Sequence, residues 1–281
     1  MNIDKIINDA FEFYNIEPIY KSKCFKCIDE LNIDRFNEII INLFENDFNG
    51  IRKYWNIKDI NELFWEDVNP FITNLIILYG YKYHMQTIDK YKFDNNQIKK
   101  QKERIKECFL NDLINRKYDG VRISQMLWAI YFIRGRILEI GILQFEHLDD
   151  DNIKIHIPKG NRLYIDDVLT SIKNSKVEIK KYYNITNYNY ICNSWILSKE
   201  LNEIIDLNSN IANFYNLFNV KKGEDCLEDI LNFVYNLKEC NDYNLLEENT
   251  KLQKIIKYEL LNNKKFYLGL GVLKNEQKND S

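Results

Sequence analysis

The sequence has 281 residues, of which 45% are hydrophobic and 14% aromatic, so it is long and apolar enough to bury a core and is not a disordered chain. Its 39 Lys and Arg residues against 42 Asp and Glu give a formal net charge of −3. The basic excess that dedicated nucleic-acid binders use to neutralise phosphates is therefore absent.

Apolar residues recur at helical spacing along the first part of the chain, to about Lys117. NIDRFNEIIINLFENDF carries one such stripe, and DINELFWEDVNPFITNLIILYGYKYHM predicts one or two more apolar helices, with Pro70 near a helix start. Residues 96–116 predict a more polar helix, which the turn signal KYDG follows. We therefore predict a helical N-terminal domain over residues 1–118 and a second domain over residues 119–281.

A basic run lies within the predicted polar helix. It consists of Lys99, Lys100, Lys102, Arg104 and Lys106. Such a run on a helix is typical of a solvated face. Binding to nucleic acid is the alternative interpretation, and the net charge of the chain argues against it.

Six cysteines and three histidines are spread along the chain. Cys24 and Cys27 have the spacing of a zinc-ligand pair, but no second Cys or His pair lies nearby in the sequence, so we expect no metal site. The opening MNIDKIINDAFEF is charged early and lacks the apolar core of a secretory signal, and the run FITNLIILYG is too short to span a bilayer. These features predict a cytoplasmic protein with reduced cysteines and no membrane partner.

The pattern changes beyond the predicted boundary. VRISQMLWAIYFI predicts an apolar helix, and ILEIGILQFEHL predicts a strand or hairpin arm with Gly141 as a bulge. The polar turn LDDDN then leads into a second strand, NIKIHIP, which we predict to be antiparallel to the first. Alternation along this strand puts its three isoleucines on one face and Lys154 and His156 on the other.

Helices and two further strands complete the chain. Residues 163–183 predict a helix, NYNYICNSWIL predicts a strand, and Ser198 is the predicted cap of the next helix. SNIANFYNLF, CLEDILNFVYNL and TKLQKIIKYELLNN predict three more helices, the last opened by Thr250, and KFYLGLGVL predicts the final strand. The sequence thus predicts an α+β fold, with a mostly helical N-terminal domain followed by a mixed β-sheet flanked by helices.

The corner at which NIKIHIP runs into the next helix has the features of an anion site. Backbone N–H groups at the start of a helix are unpaired, and the helix dipole is positive there. Gly160 lets a ligand approach the backbone closely, and Lys159 and Arg162 add positive charge. A pyrophosphate would suit this corner, and the alternative is an ordinary turn with exposed basic residues.

Four side chains are candidates for chemistry. His156 can act as a general base near neutral pH, although a lone strand histidine is more often structural. Cys192 and Ser194 share one face of the third predicted strand, so they could serve as nucleophile or proton relay if that strand lies beside His156; otherwise they are ordinary strand residues. Tyr215, one of 19 tyrosines, could donate a proton to a leaving thiolate.

Four blocks between Gly135 and Phe218 resemble, in order, the motifs of one family. GRILEIGILQFEHL is similar to a family motif that contains a strand ending in LGRLQFE. NIKIHIPKGNRL is similar to a His-Ile-Pro-x-Gly motif at a strand-to-helix corner. YICNSWILSKELNEIIDLNSNIANFYNLF carries the other two blocks, which are similar to a C-x-S-W-L-L strand and to the Ser-Asn-Ile helix that follows it. The sequence thus resembles, over most of its length, the acyltransferase-domain family with a helical N-terminal domain and a GNAT-like (N-acetyltransferase-like) C-terminal domain.

The resemblance implies an acyl-CoA site at the corner. In a GNAT-like fold the pantetheine pairs with a central strand, and the pyrophosphate lies at the start of the following helix. The implied cofactor-binding residues are Ile157, Pro158, Lys159, Gly160, Asn161, Arg162 and Leu163. The implied catalytic residues are His156 as base and Tyr215 or Ser194 as acid. The usual GNAT loop, R/Q-x-x-G-x-G/A, has a second glycine that this corner lacks, a departure that the resembling family shares.

Two functions remain as expectations. The first is transfer of an acyl group from acetyl-CoA or another acyl-CoA to an amine of a small molecule or peptide, without a metal. The second is a non-catalytic GNAT-like binding protein, which the single glycine favours. Binding of acyl-CoA separates the two, and the sequence indicates neither the acceptor nor an oligomeric state.

Overall fold

A computed structural model describes residues 3–45, 71–115, 120–237 and 239–274. The chain divides into two compact units between Leu138 and Glu139. The predictions for Pro70 and for most of the KYDG turn lie outside the described residues, and the division after residue 118 stays a prediction. Within the described ranges, none of the helices has the length and apolarity that crossing a membrane requires.

The first unit is built from helices, as its apolar periodicity predicts. Their bounds are α1 (Ile3–Tyr14), α2 (Lys21–Asp29), α3 (Ile33–Ile40), α4 (Ile72–Tyr79), α5 (Tyr81–Tyr91), α6 (Asn95–Leu110) and α7 (Ile123–Ile133). Helices α4 and α7 are mostly apolar and bury most of their residues, whereas α1 and α3 bury a single stripe. The stripe of α3 and the turn after it is Phe36, Ile39, Ile40, Leu43 and Phe44, all buried.

A polar cluster lies inside this helical unit. His84 is completely buried, and its Nδ1 lies 3.1 Å from the hydroxyl of Tyr14 while its Nε2 lies 3.0 Å from Oε1 of Gln101. Burial lowers the pKa of His84 to about 4. The ring is therefore neutral at pH 7, accepting a hydrogen bond from Tyr14 and donating one to Gln101.

The second unit holds a six-stranded mixed sheet, whose first strand straddles the division between the units. The strands are β1 (Ile137–Ile140), β2 (Leu143–Asp149), β3 (Asn152–His156), β4 (Asn189–Ser194), β5 (Phe218–Asp225) and β6 (Tyr267–Leu273). They lie in the order β1-β2-β3-β4-β6-β5. The β2–β3 hairpin is antiparallel, as predicted, and β3 pairs with β4 in parallel.

Helices of the same unit cover one face of this sheet. The unit contains α8 (Ile165–Tyr183), α9 (Lys199–Asn202), α10 (Asn210–Tyr215), α11 (Leu227–Tyr235) and α12 (Lys251–Leu261). Ser175 of α8 lies 2.5 Å from the hydroxyl of Tyr190 on β4, and the rings of Phe214 and Phe218 are 5.1 Å apart. We call this side the helix-covered face; it includes Phe145, Ile155, Tyr190, Cys192 and Phe218. We call the opposite side the His156 face; it includes Glu146, Lys154, His156, Ile191 and Leu270.

Most predicted elements of this unit are confirmed, including the caps. The Ser198 hydroxyl accepts from the backbone N–H of Leu201, and Thr250 opens α12 with a capping box. Gly141 lies in a turn between β1 and β2 at φ +61°, not in a bulge. Strand β5 was not predicted, because its sequence FNVKKGED is mostly polar; among the described strands it pairs with β6 alone, at the sheet edge.

Two glycines of β6, Gly269 and Gly271, let the segment after β4 pass close to the helix-covered face of the sheet. After β4 the chain turns through residues 195–197, and a methyl group at Gly269 would overlap the carbonyl oxygen of Leu197. At Gly271 a methyl group would lie 2.7 Å from Cδ1 of Leu197. The GLG sequence of β6 therefore holds the end of β4 close to the sheet.

The buried imidazole predicts a loss of stability in acid. The folded-state pKa of His84 is about 4 against about 6.5 unfolded, so below pH 6.5 the unfolded chain binds a proton that the folded chain does not. We expect the wild type to lose about 2 kcal/mol of unfolding free energy between pH 7 and pH 5 relative to His84→Gln. Urea unfolding of both proteins at the two pH values measures this difference. Equal pH dependence in the two proteins would contradict a neutral buried histidine.

The close approach at β6 predicts that Gly269→Ala destabilises the fold. The added methyl meets a backbone carbonyl, which a side-chain rotation cannot move, so we expect a loss of about 3 kcal/mol in unfolding free energy. Gly160→Ala is the matched control, because no atom lies within 4 Å of the new methyl and only its positive φ costs about 1 kcal/mol. Identical urea midpoints for Gly269→Ala and wild type would rule out this packing.

Candidate active site

Strands β3 and β4 pair only over their first halves. The parallel register joins Asn152 to Asn189, Ile153 to Tyr190 and Lys154 to Ile191. Beyond that point β3 stays with β2 as far as His156 opposite Gln144, while β4 stays with β6 as far as Ser194 opposite Gly269. A gap in the strand pairing therefore opens between the carboxyl ends of two parallel strands.

His156 is the last residue of β3 and lies at the mouth of this gap. Its Nε2 is 2.7 Å from Oε2 of Glu146, which lies diagonally across the β2–β3 hairpin. The Glu146 side chain is 3% exposed and the His156 side chain 20% exposed. A buried carboxylate thus holds an imidazole whose ring still reaches solvent, an arrangement that orients a histidine for proton transfer.

The register separates His156 from the other strand candidates. Across the gap, Asn193 is on the same face as His156, whereas Cys192 and Ser194 are on the helix-covered face. Burial raises the pKa of Cys192 to about 12, so the thiol is not ionised near pH 7. The Ser194 hydroxyl accepts a 3.3 Å hydrogen bond from the backbone N–H of Ile196.

The corner from Ile157 to Leu163 joins β3 to α8. Lys159, Gly160, Asn161 and Arg162 are exposed, while Ile157 and Pro158 are partly buried and Leu163 is buried as an anchor. Gly160 has a φ of +92° with open space where a side chain would stand. Asn161 donates a 2.9 Å hydrogen bond to the carbonyl of Ile142 in the β1–β2 turn. The loop is thus anchored at its ends and open at Gly160.

Charges at this corner have both signs. The cations are Lys159, whose ammonium donates to the side chain of Asn236 beyond α11, and Arg162, which donates to the hydroxyl of Tyr164 at 3.0 Å. Asp166 and Asp167 occupy the first turn of α8, whose cap residue Tyr164 makes no side-chain capping bond. An anion here would therefore depend on direct contacts with the loop more than on the helix dipole.

Tyr215 ends α10 on the helix-covered side of the sheet. Burial, and then the carboxylates of Glu203 and Glu200, raise its pKa above the usual value. The hydroxyl therefore keeps its proton near neutral pH, as a proton donor requires.

Glu146 is the site residue that the sequence interpretation missed. The sequence contained a signal for it: in a hairpin closed by the short polar turn before Asn152, strand alternation puts Glu146 on the same face as His156. Of the predicted catalytic residues, the structure brings His156 to the end of the gap with Glu146, and it puts Ser194 on the other face. Within the described residues, no group of three His, Cys, Asp or Glu side chains is arranged to hold a metal ion.

A family model described as the GNAT-like C-terminal domain matches residues 93–273, which is more than half of the chain, and the chain belongs to this family. The match begins at residue 93, just before α6, and ends at residue 273, the last residue of β6. A comparison with curated proteins finds no match.

Solved structures of acyltransferases share the fold. An acyltransferase in complex with decanoyl-CoA aligns with a TM-score of 0.64 and 17% identity, over 73% of this chain and 66% of that chain. An acyltransferase in complex with decanoyl-CoA and teicoplanin aligns with a TM-score of 0.61 and 18% identity, over 74% and 67%. A mutant acyltransferase with octanoyl-CoA aligns with a TM-score of 0.62 and 15% identity, over 73% and 66%. The chain thus spans just under two thirds of the first of these.

Proposed function

We propose that this protein is an acyl-CoA-dependent acyltransferase that transfers an acyl group to an amine. The observation that carries the proposal is the gap between β3 and β4 with the His156–Glu146 pair at its mouth. Membership of the GNAT-like family and the acyl-CoA complexes of similar structures support it. Acetyl-CoA and longer acyl-CoAs are all candidate donors for the gap.

The divergent strands suit the pantetheine arm of acyl-CoA. The arm carries two amide groups, which can pair with the backbone where β3 and β4 no longer pair with each other. At the carboxyl end of β3 the chain enters the corner from Ile157 to Leu163, where we place the pyrophosphate. Gly160 permits a close approach, and Lys159 and Arg162 supply cations.

The chemistry is direct attack of a neutral amine on the thioester. The new N–C bond forms as the C–S bond breaks, His156 accepts the proton that leaves the amine, and Glu146 stabilises the imidazolium that results. The departing thiolate takes a proton from Tyr215, whose raised pKa keeps it protonated, or from Ser194. Both acids lie toward the helix-covered face, opposite the base.

We further propose an amine acceptor of the small-molecule or peptide class and a cytoplasmic location. A similar acyltransferase was solved with teicoplanin, a glycopeptide, which supports an acceptor of this class. The six cysteines have free thiols, as is usual in a reducing compartment.

Replacement of Gly160 tests the pyrophosphate site. We expect saturable binding of decanoyl-CoA to the wild type by isothermal titration calorimetry, and an affinity about tenfold lower in Gly160→Glu because a carboxylate faces the anion. Gly160→Ala is the matched control, since it carries the same backbone strain without charge or bulk. Absence of binding by the wild type would refute the enzyme proposal and favour a non-catalytic binding protein.

Replacement of His156 tests the base. We expect His156→Gln to lower the rate of CoA release from decanoyl-CoA with primary amines by about 100-fold or more, with unchanged affinity for decanoyl-CoA. Glu146→Gln should lower kcat less than His156→Gln does, and it should shift the pH profile of kcat, because Glu146 acts through His156. His147→Gln is the control, because that ring stacks on Tyr183 on the helix-covered face. Full turnover in His156→Gln would exclude this residue as the base.

A further inference from the structure

An open groove of about 470 Å³ crosses the His156 face of the sheet over β4, β6 and β5. Its side-chain lining includes Ile191, Asn193, Leu270, Val272, Asn219 and Lys221. The proposed acyl-CoA site uses none of these side chains, although the backbone at Asn193 borders the gap between β3 and β4. The groove lies on the same face of the sheet as His156, whereas the candidate acids Tyr215 and Ser194 lie toward the helix-covered face.

The floor of the groove is apolar and exposed. Leu270 is 38% exposed and Val272 44% exposed, and they are neighbours on the same face of β6. Ile191 on β4 is opposite Val272 and extends the apolar surface toward β3. Exposed branched side chains in a row on a sheet, rimmed by polar groups, are typical of a binding surface.

Lys221 forms the far rim of the groove. In the part of the chain that the structure describes, the Lys221 ammonium makes no ion pair and donates no hydrogen bond. The neighbouring Lys222, by contrast, has partners. Lys222 projects from the other face of β5, lies 3.7 Å from a carboxylate oxygen of Glu200 and stacks on Tyr267. A cation at the end of an apolar groove is complementary to an apolar ligand that ends in an anion.

The sheet register links this cation to the base. Lys221 is opposite Leu270, Leu270 is opposite Asn193, and His156 lies across the gap from Asn193. Neighbouring strands are about 4.8 Å apart, so Lys221 and the mouth of the gap are about 10 to 15 Å apart along this row. That span equals about three to four residues of an extended peptide.

We propose that the groove binds the acyl acceptor, and that this acceptor is an apolar primary amine with a carboxylate about 10 to 15 Å from the amine. This inference rests on the proposed function. The amine enters the gap beside His156, the apolar body lies on Leu270 and Val272, and the carboxylate pairs with Lys221. An acyl chain is the less suitable occupant, because it has no charge for Lys221 to bind.

Matched amines test the proposal with the full chain and decanoyl-CoA. The probes are aminododecanoic acid, dodecylamine without the carboxylate, and aminobutyric acid with too short a span. We expect kcat/KM to be about tenfold higher for aminododecanoic acid than for either comparison amine. In Lys221→Gln the ratio of kcat/KM for aminododecanoic acid to kcat/KM for dodecylamine should fall to about one. In Lys222→Gln this ratio should stay at the wild-type value. Leu270→Asn should raise KM for aminododecanoic acid and leave the Kd of decanoyl-CoA unchanged.

The outcomes distinguish the two proposals. Failure of decanoyl-CoA to bind refutes the proposed function and this inference together. Binding of decanoyl-CoA without preference for aminododecanoic acid overturns only the inference, as does a preference that survives in Lys221→Gln. Weaker binding of decanoyl-CoA to Leu270→Asn would assign the groove to the acyl chain and also overturn it.

Discussion

The parallel pairing of β3 and β4 stops after Lys154 and Ile191, and the geometry of the site depends on where it stops. Each strand is held by its other neighbour, β3 by the hairpin with β2 and β4 by β6. On the helix-covered face, Gly269 admits the turn that follows β4, so that turn keeps the end of β4 beside β6. The pairing of each strand with its other neighbour, together with this close contact, therefore holds the two carboxyl ends in place beside the gap.

Because side chains alternate along strands, the gap has two chemically different sides. The helix-covered side is buried, and there burial raises the pKa values of Cys192 and Tyr190. The His156 side has a buried carboxylate, a partly exposed imidazole and a groove open to solvent. In the proposed reaction, a thioester in the gap would meet His156 from one side and Tyr215 or Ser194 from the other.

The corner after β3 is held by its own contacts. Leu163 is buried, Asn161 is bonded to the β1–β2 turn, and Lys159 contacts Asn236 after α11. Asp166 and Asp167 offset the two cations, so the proposed binding of a pyrophosphate would depend on the geometry of the loop backbone at Gly160. This is consistent with a loop that has one glycine where the usual GNAT loop has two.

The sequence by itself determined what depends on neighbours along the chain. Helical and strand periodicity predicted the α+β fold and most elements, capping residues predicted Ser198 and Thr250 as helix starts, and the turn before Asn152 predicted the β2–β3 hairpin. Only the tertiary structure decided the pairing of Glu146 with His156, the opposite faces of His156 and Ser194, the edge strand β5 and the groove ending at Lys221. These depend on strand order and register, which are set by contacts between residues far apart in sequence and leave no periodic signal within one segment.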